Sequence, residues 1–363
     1  MTTEITCNNF FDGTILRGPT RLVIEAGIVR SIEALNSGGE FHLISPGFVD
    51  VQMNGFERWD VSVCDTHEMC ELDERLAQLG TTSWLATIVT APLERLSSSL
   101  TSLHQSWCSG LVAGLAGVHV EGPFLGDSPG AHNPRWIIPI DEPWLKQLPP
   151  SVRMITLAPE QERAVEAIQL LQEMNVCTSL GHSRPTAAQF DACVEAGARM
   201  VTHLFNGMSG VHHRDDGLAL SALTTDAIAT GLIADLVHCS PAAISLAYRA
   251  KPAGSVVLVS DSIAWQSQWA ISRGVTVSEG APRLPDGTLA GSSTPLAQCV
   301  ANTVQKAGVS LEAALRSATS APAQVVGLPD VGHITVGKGA DVVALDASLS
   351  VTRTWRRLPS ERA

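Results

Sequence analysis

Side chains that bind metals or move protons follow several strand-like segments of this chain. Glu121, His182 and His203 each stand at the carboxyl end of a different apolar, β-branched segment. One carboxylate with two imidazoles is typical of a catalytic zinc site, whose bound water ionises near neutral pH and can attack a carbonyl. Asp261 ends the last such segment, where a carboxylate can take and return a proton. The pattern predicts a metal-dependent hydrolase, although any one of these histidines could instead be a buried structural residue.

Further polar residues follow other strand-like segments. Gln52 and Asn54 come after the first, Asn206 after the sixth and His238 after the seventh. In parallel barrels the carboxyl ends of all strands meet at one end, where such enzymes place their chemistry. We therefore expect these side chains to gather around a single mouth.

The middle of the chain alternates between strand-like and helix-like segments. Helical patterns occur at Leu93–Trp107, Gln161–Met174, Pro185–Ala196 and Ala242–Ala250. About eight such units predict a (β/α)8 barrel. A doubly wound open sheet is the alternative, but no Gly-x-Gly-x-x-Gly motif supports its dinucleotide-binding version. The apolar runs interpreted as buried parallel strands are Leu43–Val51, Thr82–Val89, Leu115–Val120, Val152–Leu157, Val176–Leu180, Arg199–His203, Ile228–Ala234 and Val256–Val259.

Both ends of the chain show the alternation of half-buried strands. Residues 21–25 and 27–33 alternate around a turn at Ala26-Gly27, and residues 333–336 and 341–345 do so around a second turn. Both ends could therefore build one small β domain around a central unit. The predicted domains are residues 1–45 plus 332–363 for the small β domain and residues 46–331 for the barrel.

Composition limits the classes of protein to which the chain can belong. Of its 363 residues, 45% are hydrophobic and 17% are charged, which supports a large core. The net charge of −12, without basic clusters, argues against a nucleic-acid-binding protein. No apolar run is long enough to cross a membrane, and no signal peptide is visible. The eight cysteines form no Cys-x-x-Cys pair, so we expect reduced, mostly buried thiols in a cytoplasmic protein.

Seven motifs in order carry a family resemblance over nearly the whole chain. They are PGFVDVQMNG (46–55), GVHVEGPF (117–124), GAHNP (130–134), GHS (181–183), THLFNGM (202–208), SD (260–261) and LAGSS (289–293). The sequence resembles the N-acetylglucosamine-6-phosphate deacetylases, a family of the amidohydrolase superfamily. The resemblance implies a distorted (β/α)8 barrel of the TIM type, with a small β-sandwich domain built from both termini. It also implies hydrolysis of the N-acetyl group of a 6-phosphorylated amino sugar.

The resemblance assigns roles to the residues of the predicted site. Glu121, His182 and His203 would hold one divalent metal ion per subunit. Zinc is the first choice, and this ligand set also suits iron, cobalt and manganese. Asp261 would be the general base and then the acid toward the leaving amine. His132 would polarise the acetamide carbonyl and, with the metal, stabilise the oxyanion.

Substrate recognition is also implied by the resemblance. Asn206 and the backbone at Gly207, with Arg214 and His238, would hold the sugar phosphate. In the family an arginine and a histidine of this kind reach across a dimer interface, so a homodimer is implied. Arginine suits a phosphate because its planar fork can contact two oxygens.

The first strand departs from the pattern of many amidohydrolases. Those enzymes carry His-x-His for a second metal, whereas this chain has Gln52 and Asn54, a form also found among the deacetylases. Neutral amides are poor ligands for a transition metal compared with imidazole. We therefore expect one tightly bound metal, with Gln52 and Asn54 supporting its site through hydrogen bonds.

Two further features leave alternatives open. In the segment Ser262–Ala281, Trp265 and Trp269 stand where the family has small residues and glycines. They could reshape the substrate pocket or pack within a shortened loop. His119 faces the same side of its strand as Glu121, so it could support a metal ligand or be a buried structural residue.

Two other functions compete with the one implied. The chain could be a deacylase of a related N-acyl substrate, such as N-acetylgalactosamine 6-phosphate or an unphosphorylated amide. It could also be an inactive barrel that serves as a binding or assembly module, although the intact set of Glu121, His182, His203 and Asp261 argues against this.

Overall fold

An eight-stranded parallel sheet forms the centre of the molecule. The computed structural model describes residues 2–357. Each barrel strand pairs in parallel with the next one along the chain, and helices pack around them, which confirms the predicted (β/α)8 barrel. Burial on both faces explains the apolar, β-branched runs. The strands are Phe48–Met53, Thr81–Val89, Leu115–Glu121, Val152–Leu157, Cys177–Leu180, Met200–Val201, Ala229–Leu232 and Val256–Leu258.

The first and eighth strands are joined at the carboxyl end of the barrel. Met53 and Ser262 form an isolated parallel bridge. The N–H of Asp261 donates to the carbonyl of Gln52 over 2.9 Å, and the N–H of Asn54 donates to the carbonyl of Ser262 over 2.8 Å. We call these residues, Gln52–Asn54 and Asp261–Ser262, the barrel seam. The seam therefore contains three of the predicted site residues.

Apolar side chains fill the other end of the barrel. Val51, Met154 and Met200 are completely buried in a cluster inside the sheet. Helix Ser320–Val325 contributes Ala321 and Ala323 to the same cluster. This packing leaves the carboxyl end of the barrel for the polar residues.

Amphipathic helices cover the barrel. The four predicted helices are present, each within about three residues of its predicted bounds. Helix Thr66–Gln78 was not predicted, although Asp65 and Glu68 form a capping box and Met69 and Leu72 are buried at helical spacing. The helices of the described residues are Thr66–Gln78, Leu93–Cys108, Glu142–Leu145, Ala164–Glu173, Ala187–Glu195, Leu218–Thr224, Pro241–Ala250, Gln268–Ser272, Leu296–Gln305, Leu311–Ser317 and Ser320–Val325, with a 3-10 turn at Pro134–Trp136.

Both ends of the chain meet in a second sheet of seven strands, which confirms a second β domain of this origin. The predicted turn is present, with φ angles of 49° at Ala26 and 78° at Gly27. The prediction of a strand at residues 333–336 is wrong, because Ile334 donates to the carbonyl of Asp12 in a loop and no ladder with a strand forms there. Residues 358–363 of the predicted domain lie outside the described residues. The strands, in spatial order, are Val351–Trp355, Val342–Leu345, Phe41–Pro46, Thr2–Phe11, Thr20–Glu25 and Ile28–Ala34, with Leu16–Arg17 beside Thr2–Phe11.

The apolar run Leu43–Val51 is not one strand, as predicted, but parts of two. It contributes to Phe41–Pro46 in the second sheet and to Phe48–Met53 in the barrel. The chain passes between the sheets at Gly47, where a Cβ atom would lie 2.1 Å from Oγ1 of Thr82. Because residues on both sides of Gly47 are buried, hydrophobicity alone does not reveal the change of sheet.

Two short hairpins lie outside the two main sheets. The hairpins pair Gly55–Phe56 with Trp59–Asp60 and Thr276–Ser278 with Ala281–Arg283. All eight cysteines are free and six are buried, as predicted. Among residues 2–357, the helices lack the combination of length and apolar character that a membrane-spanning segment needs.

Candidate active site

Four predicted site residues lie where barrel strands end. Glu121 is the last residue of its strand, and His182, His203 and Asp261 come two or three residues after theirs. The last three have φ angles of 50°, 29° and 46°. Left-handed backbone is unfavourable for residues with a side chain and occurs chiefly where the surrounding structure enforces it, often at functional sites. These turns bring the four side chains together at the carboxyl end of the barrel.

The side chains of Glu121, His182 and His203 converge on one point. Oε1 of Glu121 lies 3.2 Å from Nε2 of His182 and 3.1 Å from Nε2 of His203, and the two Nε2 atoms are 3.0 Å apart. Ligand atoms of a tetrahedral zinc ion with bonds of about 2.0–2.2 Å lie about 3.3–3.6 Å from one another. The spacing therefore fits three ligands of a single divalent ion.

The position of the ring proton on His182 also favours binding of a cation between this residue and Glu121. Nδ1 of His182 lies 3.0 Å from the carbonyl of Ser128, which can only accept, so Nδ1 carries the proton and Nε2 offers a lone pair. That lone pair faces the Glu121 carboxylate, and two acceptors so close need a proton or a cation between them. Gly207 packs against the same ring, and a Cβ atom at this position would lie 2.8 Å from Nδ1. The ring is thus held in place on two sides.

The carboxylate and the imidazoles of this cluster stabilise each other. Burial alone would raise the pKa of Glu121, but the neighbouring imidazoles of His182 and His203 hold it well below its ordinary value. Burial alone would lower the pKa of His203, but the Glu121 carboxylate raises it. The site therefore favours an ionised carboxylate, the form that binds a metal.

Asp261 is held by two amides from the first strand. Its Oδ1 accepts from Nδ2 of Asn54 over 2.8 Å and from Nε2 of Gln52 over 3.2 Å. The same Nε2 lies 3.1 Å from Oε1 of Glu121, so Gln52 bridges the two carboxylates. Burial and the charge of Glu121 raise the pKa of Asp261 to about 7. A carboxylate in this range can both take and return a proton.

His132 approaches the cluster from a loop after the third strand. Its Nε2 lies 3.2 Å from Nε2 of His182, and its Nδ1 lies 2.9 Å from Oγ1 of Thr90. Glu121, His132 and His182 form a buried group whose ligand atoms lie close enough to hold a metal ion. Burial and the neighbouring His182 lower the pKa of His132 to about 3, so its ring is neutral. Thr90 was not identified from the sequence, although its place directly after the strand Thr81–Val89 was an available signal.

A pocket of about 310 Å³ adjoins the cluster. Asn206, Gly207 and His238, predicted to bind substrate, line it together with Asp261. Nδ1 of His238 lies 2.7 Å from Oδ2 of Asp235, which fixes the orientation of the ring. Burial alone would raise the pKa of Asp235, but its hydrogen bonds with His238 keep it below its ordinary value. The pocket has the size of a site for a small molecule.

Arg214 lies apart from the other predicted substrate residues. It is on an exposed loop, residues 210–216. It is not among the residues of the described chain that line the pocket. A single chain therefore does not bring Arg214 to its own site.

The two tryptophans of the atypical segment have different environments. Trp269 lines the pocket. Trp265 packs edge-on against Phe56, with ring centroids 4.9 Å apart. Trp269 is thus part of the pocket wall, whereas Trp265 packs against the hairpin that contains Phe56.

His119 is a buried structural residue. Its Nε2 lies 2.8 Å from the hydroxyl of Thr156 and its Nδ1 lies 3.3 Å from that of Thr87. Burial lowers the pKa of His119 to about 4, so the ring is neutral. It therefore joins neighbouring strands through hydroxyl groups.

Comparison with known proteins relates this geometry to one family. The model of the amidohydrolase family matches residues 43–359. The chain is 34% identical to human N-acetylglucosamine-6-phosphate deacetylase, over 93% of this chain and 87% of the human protein. It is 33% identical to N-acetylgalactosamine-6-phosphate deacetylase of Escherichia coli O157:H7, over 92% of this chain and 93% of that protein.

Solved structures show the same similarity. One is a mutant of N-acetyl-D-glucosamine-6-phosphate deacetylase from Mycobacterium smegmatis in complex with N-acetyl-D-glucosamine-6-phosphate. It superposes with a TM-score of 0.90 at 28% identity and covers 98% of both chains.

Proposed function

Because this chain belongs to the amidohydrolase family, we propose that it hydrolyses N-acetyl-D-glucosamine 6-phosphate to D-glucosamine 6-phosphate and acetate. The observation that carries this proposal is the convergence of Glu121, His182 and His203 beside Asp261 in one pocket. The curated relatives named for this reaction, and the structure that contains its substrate, support the choice of substrate.

Glu121, His182 and His203 are proposed to hold one divalent ion. When bound, such an ion supplies Lewis acidity, which activates water and polarises the acyl oxygen. Zinc accepts one oxygen and two nitrogen ligands in this spacing, and iron, cobalt or manganese would also bind such a set. Gln52 donates to Glu121 through its amide nitrogen, so it is proposed to orient this ligand.

Asp261 and His132 are proposed to perform the proton transfer and the stabilisation of charge. Asp261 takes the proton of the attacking water and then delivers it to the departing nitrogen. His132 polarises the acyl oxygen and stabilises the negative charge that develops on it. The Thr90 hydroxyl donates to the carbonyl of Glu121 over 3.2 Å and lies 2.9 Å from Nδ1 of His132, so it fixes the ring beside the third strand. Thr90 is therefore a positioning residue.

The sugar phosphate is proposed to lie near Asn206, Gly207 and His238, with Arg214 supplied by a second subunit. The exposed position of Arg214 agrees with a role outside its own chain. The proposal thus includes a homodimer. It also includes a cytoplasmic location, supported by eight free thiols, which are typical of a reducing compartment.

Release of acetate from a panel of N-acetyl sugars tests the proposed function. The panel contains N-acetylglucosamine and N-acetylgalactosamine, each with and without the 6-phosphate. We expect the highest kcat/KM with N-acetylglucosamine 6-phosphate. Preference for N-acetylgalactosamine 6-phosphate, which the Escherichia coli relative makes the second candidate, would correct the sugar but not the reaction. No release from any sugar by metal-loaded protein would favour a binding or assembly module.

Metal analysis of the purified protein is expected to give about one tightly bound ion per chain. The first strand offers the amides of Gln52 and Asn54, which donate to carboxylates, in place of two imidazoles. The measurement is elemental analysis after extensive dialysis. Two ions of equal affinity per chain would contradict this expectation.

Arg214→Ala is expected to raise KM for the 6-phosphate about 10- to 100-fold. A charge-assisted contact with a phosphate typically contributes about 1.5–3 kcal/mol. Turnover of the unphosphorylated sugar should change little, which makes that substrate the internal control.

Mixed dimers test whether Arg214 serves the neighbouring site. Subunits with Arg214→Ala are exchanged with subunits that carry Asp261→Asn, so one site of each mixed dimer is intact and the other doubly defective. We expect activity toward the 6-phosphate to recover. If verified exchange brings no recovery, Arg214 acts in its own chain or outside any phosphate site.

A further inference from the structure

Two arginines line the same pocket without an acidic partner. The guanidinium groups are those of Arg95 and Arg273. Neither forms an ion pair in the part of the chain that the structure describes, residues 2–357. Other arginines do, since Arg283 pairs with Glu279 at 3.3 Å and Arg75 pairs with Glu57 at 2.8 Å. The same lining contains the carboxylates of Asp60, Glu121 and Asp261, but none of these forms an ion pair with either arginine in residues 2–357, so both guanidinium groups stay available to a ligand.

The position of Arg273 is supported by an aromatic ring. Its Cζ atom lies 5.1 Å from the ring centroid of Trp269, four residues earlier. Trp269 lines the pocket as well. A cation–π contact orients a guanidinium without neutralising it, so the charge stays available for anionic oxygens. The atypical segment Ser262–Ala281 thus contributes both an aromatic surface and a cation to the pocket.

The order of the strands places the two arginines differently relative to the proposed phosphate side. Arg95 lies in helix Leu93–Cys108, which follows the second strand, and Arg273 follows the eighth. Asn206 and Gly207 follow the sixth strand, which lies across an eight-stranded ring from the second. Arg95 therefore lies across the barrel from Asn206 and Gly207, whereas Arg273 follows the strand next to the one that precedes His238. We call Arg95 and Arg273 the arginine wall.

We infer that the arginine wall binds an anionic group of the substrate, a phosphate or a carboxylate. This inference rests on the proposed function, because it assumes that the pocket receives an N-acyl amino sugar. The anion has two possible sources. It is the 6-phosphate if the sugar points toward the second and eighth strands. It is a carboxylate on the acyl chain if the acyl group points there instead. In both cases the planar forks of the arginines match the anionic oxygens.

The test compares substrates that carry the anion in different places. Acyl release is measured for N-acetylglucosamine, its 6-phosphate and N-succinylglucosamine with the wild type, Arg95→Gln, Arg273→Gln and the double variant. Arg249→Gln, which removes an exposed arginine from helix Pro241–Ala250, is the matched control for loss of charge. Arg273→Lys retains the charge and guards against effects of altered packing.

We expect the preference for one anionic substrate over N-acetylglucosamine, as a ratio of kcat/KM, to fall about 10- to 100-fold in each Gln variant. A fall for the 6-phosphate identifies the phosphate as the anion, and a fall for the succinyl substrate identifies the acyl carboxylate. Arg273→Lys should recover part of the preference. The inference is overturned if both ratios stay within about twofold of wild type in the double variant.

Binding measurements, which need no turnover, distinguish failure of this inference from failure of the proposed function. If the wild type releases no acyl group from any sugar, the proposed function fails. Calorimetric titration with glucosamine 6-phosphate and with N-succinylglucosamine then still reports on the arginine wall. Binding of either probe that weakens at least 10-fold in the double variant, but not in Arg249→Gln, supports the wall. Equal binding of both probes in all three proteins rejects it.

Discussion

Asp261→Asn lowers kcat for acetate release by about 10² or more and leaves KM nearly unchanged. The asparagine has the same shape, and its side-chain oxygen can still accept from Asn54 and Gln52 as Oδ1 of Asp261 does over 2.8 and 3.2 Å. It cannot take a proton from water, so the general-base and general-acid steps are both lost. Steady-state kinetics with N-acetylglucosamine 6-phosphate measures the effect.

A matched variant shows whether the loss is specific. Asp191→Asn makes the same change at an exposed position on helix Ala187–Glu195, and we expect wild-type kinetics. Metal content should remain about one ion per chain in both variants. If Asp261→Asn keeps most of the wild-type kcat, another group accepts the proton and the assignment of the base is wrong.

His182→Ala removes both the metal and the activity. Nε2 of His182 is one corner of the triangle with Glu121 and His203, and two remaining protein ligands hold a divalent ion far more weakly than three. We expect metal content to fall from about one ion per chain to a small fraction of that, with acetate release near background. Elemental analysis and the acetate assay are made on the same dialysed sample.

Two controls accompany this variant. His67→Ala removes an exposed imidazole, with a side chain that is 82% accessible, and should keep both the metal and the activity. Circular dichroism tests whether His182→Ala is folded, since loss of structure would also release the ion. A folded variant that retains a stoichiometric ion would show that His182 is not a ligand, and the buried group with His132 would then be the next candidate.

The barrel and many of the residues at its carboxyl end could be predicted, because each buried strand shows as an apolar run in the sequence. Glu121, His182 and His203 each follow such a run, and the parallel arrangement of the strands brings their carboxyl ends together. Their convergence within 3.0–3.2 Å depends on loop backbone with positive φ at the two histidines, which residue type does not reveal.

Other features of the site depend on contacts between segments far apart in the chain. The hydroxyl of Thr90 contacts a ring nitrogen of His132, which lies in a different loop. Neither sequence motif indicates this contact. Arg95 was not identified because a single arginine in an amphipathic helix is usually a solvated surface residue. Only the position of the helix beside the pocket distinguishes it.

The barrel seam affects whether activity or folded structure is lost first when the protein is heated. The same stretch of backbone that joins the first strand to the eighth, through Gln52 and Asp261, also carries the proposed proton-transfer carboxylate. Local opening needs less free energy than global unfolding, and only a few hydrogen bonds between short segments join the first strand to the eighth. Once the seam parts, Asp261 loses its amide partners although the helices and the second sheet remain folded. We therefore expect acetate release to be lost on heating before circular dichroism reports melting of the helices.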